Sequence, residues 1–111
     1  FFSMAQNRYK EEASRNAQRS YGELIEVDRA LDKKDFGEAL AAMHRAGVFE
    51  EAITWNCILY QREGHARAEV TELDEWLGAT VRSLREFRTQ IAKRFKSGHA
   101  AGRTQRPRKR G

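Results

Sequence analysis

The sequence predicts an all-α chain of antiparallel helical hairpins. About four helices are expected, the first and last long, followed by an extended basic C-terminal tail. Three observations lead there. The chain has 111 residues, of which 33% are charged and only one is proline, with few β-branched runs, a composition that favours helix. A stripe of apolar residues with helical spacing runs from Ala66 to Lys96. The charge then divides sharply along the chain. Phe1 to Glu86 holds 12 Lys+Arg against 16 Asp+Glu, a net of −4, while Phe87 to Gly111 holds 9 Lys+Arg and no acid, a net of +9.

The first helix is expected over Met4 to Lys33. Ser3 with Gln6 forms a capping box, and from Ala13 the stripe Ala13, Ala17, Tyr21, Leu24, Ile25, Leu31 has helical spacing. Its first half is weakly apolar, which suits an arm that projects beyond the core or lies on a partner. Asp35 is a good N-cap with Glu38 completing the box, so Phe36 to Ala46 reads as a short helix. It closes at Gly47, where a left-handed cap is wanted, and Val48-Phe49 pack under that cap. Glu50 or Glu51 opens a third helix carrying Ala52, Ile53, Trp55, Ile58 and Leu59, and Gly64 ends it.

The last helix carries Val70, Leu77, Leu84 and Ile91 seven residues apart. Leu73 and Phe87 follow two of these by three, and Val81 and Phe95 lie one position further round. At about 1.5 Å per residue the segment is roughly 45 Å long. Gly78 weakens it by about 1 kcal/mol relative to Ala, but the seven-residue phase survives there, which favours one long helix over two. The stripe is either a core face or a coiled-coil seam with a second chain. Phe36, Met43, Trp55, Leu59, Leu73, Leu77 and Leu84 are the expected core. The chain thus divides into a helical arm (1–19), a hairpin body (20–97) and a basic tail (98–111).

The run Gly47-Val48-Phe49-Glu50-Glu51-Ala52-Ile53-Thr54-Trp55-Asn56-Cys57-Ile58-Leu59, with Met43 before it, resembles the junction between two pentatricopeptide repeats. Ser20-Tyr21-Gly22-Glu23-Leu24-Ile25 looks like a degenerate copy of the same opening, and Tyr21 and Trp55 stand 34 residues apart. The resemblance covers about Ser20 to Leu77. Gly22 departs from the family's Asn, and Glu51-Ala52 replaces its Pro-Asp. It implies a scaffold of helix pairs and a bias toward RNA. The family's base-reading positions map to Glu23 and Ala52 in the first unit and Cys57 in the second, an unpromising set for reading bases.

Catalytic and metal chemistry find little support. His44, His65 and His99 have no metal-ligand spacing with one another or with Cys57. Cys57 sits among apolar neighbours, as a small buried hydrophobe does, and with no second cysteine the chain forms no internal disulfide. Glu50-Glu51 and Asp74-Glu75 are adjacent pairs whose members diverge on a helix. There is no Gly-rich phosphate loop, and no apolar run approaches the roughly 20 residues of a membrane-spanning helix. The expectation is a non-enzyme with no cofactor, no metal and no small-molecule substrate.

The charge division supplies the functional expectation. Arg88, Lys93, Arg94 and Lys96 on the last helix, with Arg103, Arg106, Arg108, Lys109 and Arg110 in the tail, are expected to neutralise RNA phosphate with low sequence specificity. Trp76, Phe87, Ile91 and Phe95 are expected to anchor neighbouring proteins. Basic amphipathic helices also suit acidic membranes or calmodulin-like grooves. The favoured reading is a structural component of a larger ribonucleoprotein, plausibly an organellar ribosome. The pentatricopeptide resemblance and a first residue that is not Met point to the mitochondrion, with chloroplast or nucleus as alternatives. The alternative function is a protein–protein adaptor that uses the amphipathic helix 66–96 without touching RNA.

Overall fold

The computed structural model describes the backbone of residues 7–110 and the side chains of residues 7–96. Three helices account for almost all of it: α1 (Arg8–Asp32), α2 (Phe36–Arg62) and α3 (Arg67–Arg110). They form an up-down-up bundle, and among the described residues there is no strand. Asn16 bonds Asn56 at 2.9 Å and Ser20 donates to the Ala46 carbonyl at 2.9 Å, so α1 and α2 run antiparallel. Tyr21 of α1 bonds Ser83 of α3 and, further on, Asp28 and Asp32 of α1 pair with Arg94 of α3, so these two helices run parallel.

The helix ends follow from local chemistry. Asn7 caps α1 by accepting from the Tyr9 and Lys10 amides. The Ser3–Gln6 capping box lies outside the described residues. Asp35 caps α2 by accepting from the Glu38 amide at 3.1 Å, while the Glu38 carboxylate turns away to Arg45 instead of closing the box. Lys34 holds the left-handed position of the first turn (φ 60°), with Asp35 N–H bonded back to the Ala30 carbonyl at 2.8 Å. Gly64 holds it in the second (φ 85°), ending α2 as the sequence predicts.

The expected break at Gly47 is absent, and α2 runs unbroken from Phe36 to Arg62. The two short helices of the sequence reading are therefore one, and the chain does not turn where a repeat junction would place a turn. A single glycine costs a helix interior only about 1 kcal/mol, and tertiary packing offsets that here. The small residues Ala39, Ala42 and Ala46 pack before the glycine, and Ile53, Cys57 and Tyr60 pack after it, all on one face. Their partners on α1 are Ala13, Ala17, Leu24, Val27 and Ala30. The first half of α1 is thus part of the bundle and does not project as an arm, because a continuous α2 is long enough to cover it.

Continuity also changes which side chains are inside. With Ala39, Ala42, Ala46, Ile53, Cys57 and Tyr60 facing α1 and α3, the larger Phe36, Trp55 and Leu59 fall on other faces and are exposed, contrary to expectation. Met43 and Leu77 are half-buried at the edge of the core. Leu73 and Leu84 are buried as expected, and with Ile91 they make the stripe of α3 a core face of this chain, not a seam. α3 is continuous through Gly78 and its backbone stays helical to Arg110, where the sequence predicts an extended tail after Ser97-Gly98. Extending an existing helix avoids the nucleation cost, although Gly98, Gly102 and Pro107 in this stretch oppose a helix interior.

Candidate interaction surfaces

The basic end of α3 separates into two sets of side chains. Arg88 forms an ion pair with Glu50 of α2, and Arg94 pairs with both Asp28 and Asp32 of α1 while also donating to the Asp28 carbonyl at 3.3 Å. These two arginines clasp α3 to the hairpin. The Arg94 guanidinium is held more firmly protonated than usual, first by its hydrogen bond to Asp32 and then by the charge of the two aspartates. A guanidinium already shared among carboxylates has less to offer a phosphate.

The second set is free. Arg82, Arg85, Lys93 and Lys96 are exposed, and none has a carboxylate within ion-pair distance among the described residues. Spacings of three, eight and three residues put them on one face of α3, over about 20 Å of helix. That face borders an open groove of about 880 Å³ between α3 and Thr54 of α2, floored by Leu77 and Val81 and edged by Arg82, Arg85, Thr89 and Lys93. Glu86 lies within this stretch, and Asp74 stands at the groove's other end. So the sequence-predicted RNA set divides: Lys93 and Lys96 belong to a free basic stripe, Arg88 and Arg94 do not. Arg103, Arg106, Arg108, Lys109 and Arg110 have side chains outside the described residues. Arg82 and Arg85 complete the stripe. Their membership follows from their spacing to Lys93 and Lys96 once it is known which arginines the hairpin occupies.

The expected partner anchors on α3 turn inward. Ile91 is buried. Trp76 and Phe87 pack against the core, with the Phe87 ring 6.0 Å from Tyr21, and Tyr21 also bonds Ser83. Phe95 is at the margin, its ring 5.5 Å from Phe36 in an edge-to-face contact. Trp76, Phe87 and Ile91 therefore hold α3 onto the hairpin.

The exposed apolar surface lies instead on α2, opposite its core face. Val48 (55% exposed), Trp55 (57%), Ile58 (37%) and Leu59 (40%) lie there, while Leu40 (74%) stands on the flank toward α3, in the groove that Phe36 and Phe95 also line. The inner face satisfies its polar groups within the bundle: no buried side-chain nitrogen or oxygen among the described residues lacks a partner. Cys57 is part of that inner face, 4% exposed, and burial pushes its thiol up to about 12, with Asp74 adding to the effect. The thiol is thus packed as a small hydrophobe on the core face.

Among the described residues no group of three or more His, Cys, Asp or Glu is placed to hold a metal ion, and no helix is long and apolar enough to cross a membrane. Compared with known proteins, the chain matches no family model, no curated protein and no solved structure.

Proposed function

We propose that this protein is a non-enzymatic, RNA-associated structural component of a larger ribonucleoprotein. The observation that carries this reading is the free basic stripe Arg82, Arg85, Lys93, Lys96, which leads directly into a segment with no acidic residue. The rest of the chain is net negative and gives RNA no general attraction, so binding depends on this end of α3 and on the tail. Contact with phosphate is electrostatic and reads no sequence.

Salt dependence tests the reading. Replacing Arg82, Arg85, Lys93 and Lys96 together by Gln should flatten the plot of log affinity against log salt by about 2.8–3.6 if all four contact phosphate. Replacing Arg103, Arg106, Arg108, Lys109 and Arg110 by Gln should flatten it by about 3.5–4.5. Replacing Arg88 and Arg94 should loosen the bundle and leave the slope nearly unchanged. Identical slopes and affinities in wild type and both charge variants would exclude the stripe and the tail from RNA binding. A second reading, the adaptor that touches no RNA, is favoured by the outer face of α2, and it moves the binding surface there from helix 66–96.

A further inference from the structure

The free cations of α3 are not evenly spaced. Arg82 and Arg85 make one pair and Lys93 and Lys96 a second, each member eleven residues from its counterpart. The pairs therefore stand about 16 Å apart along the helix. All four are exposed, and helical spacing puts them on the side of α3 away from the buried Leu84 and Ile91. Arg85 is the member nearest α2, at the cleft that Glu50 and Glu51 also border. Between the pairs come Glu86, Thr89 and Gln90, which line one open concavity together with Arg82, Arg85 and Lys93. Thr89 is four residues from Arg85 and four from Lys93, at the middle of the span. We propose that α3 takes double-stranded RNA across its minor groove. Arg82 and Arg85 meet the phosphates of one strand, Lys93 and Lys96 those of the other, and the Thr89 hydroxyl meets the ribose 2′-hydroxyls between them.

This rests on the reading that this end of the chain meets RNA, and it names the form of RNA. A single strand offers one line of phosphates, which a continuous basic track follows best. Here that line would pass Glu86, whose carboxylate repels it. The wide, shallow minor groove of an A-form helix has a backbone on either side and 2′-hydroxyls between. Two cationic points with a hydroxyl midway match that order. A carboxylate is tolerated over the groove, because a 2′-hydroxyl donates as well as accepts and Glu86 is an acceptor. B-form DNA lacks the hydroxyl, and its minor groove, about 6 Å wide, is too narrow for the span. Contacts of this kind recognise shape and sugar, not sequence.

The test is fluorescence anisotropy of the full chain with three probes of one sequence, about 16 residues per strand: an RNA duplex, the matching DNA duplex and one RNA strand alone. The basic tail attracts all three, so the ratios carry the information. At equal salt the RNA duplex should bind about tenfold tighter than either other probe. Replacing Arg82 and Arg85 by Gln, or Lys93 and Lys96 by Gln, should each flatten the salt slope on the RNA duplex by about 1.8. Each should also remove most of the duplex preference, because one pair alone cannot span the groove. On the single strand either variant should change the slope by less than about 0.7, since the other pair suffices. Thr89→Val should weaken RNA duplex binding by about threefold, the loss of one hydrogen bond, and leave the DNA duplex unaffected. Helicity by circular dichroism should be unchanged throughout, as these side chains are exposed. A single strand or a DNA duplex bound as tightly as the RNA duplex overturns the proposal, and so does a pair variant that keeps the duplex preference. Failure of the RNA reading itself looks different: no probe then responds to either pair variant, and this proposal falls with it.

Discussion

Substituting Gly47 by Ala distinguishes a continuous α2 from two helices joined at a cap, because the two arrangements give opposite signs. In the structure Gly47 is mid-helix, and a Cβ built on it meets no atom within 4 Å. Ala therefore neither clashes nor gains burial, and the effect reduces to helix propensity, a stabilisation of about 0.8–1 kcal/mol. For a domain of this size that raises Tm by about 4–8 °C. A left-handed cap at Gly47 would instead make Ala lose about 1–2 kcal/mol. Gly64, at φ 85°, is the internal control: Gly64→Ala should destabilise by about 1–2 kcal/mol. The assay is thermal and urea unfolding followed by circular dichroism. A lower Tm for Gly47→Ala would refute the continuous helix, and with it the placement of Val48 and Trp55 on the outer face of α2.

Other outcomes follow from burial and charge. Leu84→Ala should cost about 2–5 kcal/mol in urea unfolding, since Leu84 is fully buried, whereas Trp55→Ala should stay within about 0.5 kcal/mol. Cys57 should react with a thiol reagent only as the bundle opens, because its pKa is pushed up to about 12 by burial; fast stoichiometric labelling of the folded chain would contradict that packing. Glu63 is held below the usual carboxylate range, first by His65 and then by Asn7. A depressed native pKa stabilises the fold above the ordinary value of 4.5 and loses that contribution as pH falls through the native value. Glu63→Gln should therefore flatten the acid limb of stability against pH, an effect small in size because the group is exposed.

Periodicity told the truth about α3 and misled about α2, for one physical reason. On α3 the large apolar residues Leu73, Leu84 and Ile91 are also the buried ones, so the stripe seen in the sequence is the core face. On α2 the buried face is mostly small, with Ala39, Ala42 and Ala46 sitting against the alanines of α1. Close-packed small residues leave little hydrophobic signal, and the larger Phe36, Leu40, Trp55 and Leu59 outweigh them when residues are ranked by size. The same bias assigned a break at Gly47, because a glycine between apolar runs has the local signature of a cap. What decides the matter is the length of α1, whose alanines from Ala13 onward need a partner along its whole length. The caps at Asp35 and Gly64 were legible since each is settled by its own residue. The clasps at Arg88 and Arg94 were not, because their carboxylate partners are 38 to 66 residues away.

The division of labour among the helices limits what this chain does alone. α1 gives its apolar stripe to the hairpin and otherwise shows charged residues arranged in local pairs such as Glu12 with Arg15 and Arg19. α3 gives Leu73, Leu84 and Ile91 to the core and shows a basic stripe. α2 alone is apolar on both sides, while the two-helix cover that α1 and α3 provide reaches only one of them. Val48 and Trp55 stand exposed on the side of α2 that neither helix covers, so they add little to the core of this chain. The charged side chains of α3 divide in the same way: Arg88 and Arg94 are engaged by carboxylates of the hairpin, and Arg82, Arg85, Lys93 and Lys96 are left exposed with no carboxylate in ion-pair distance among the described residues.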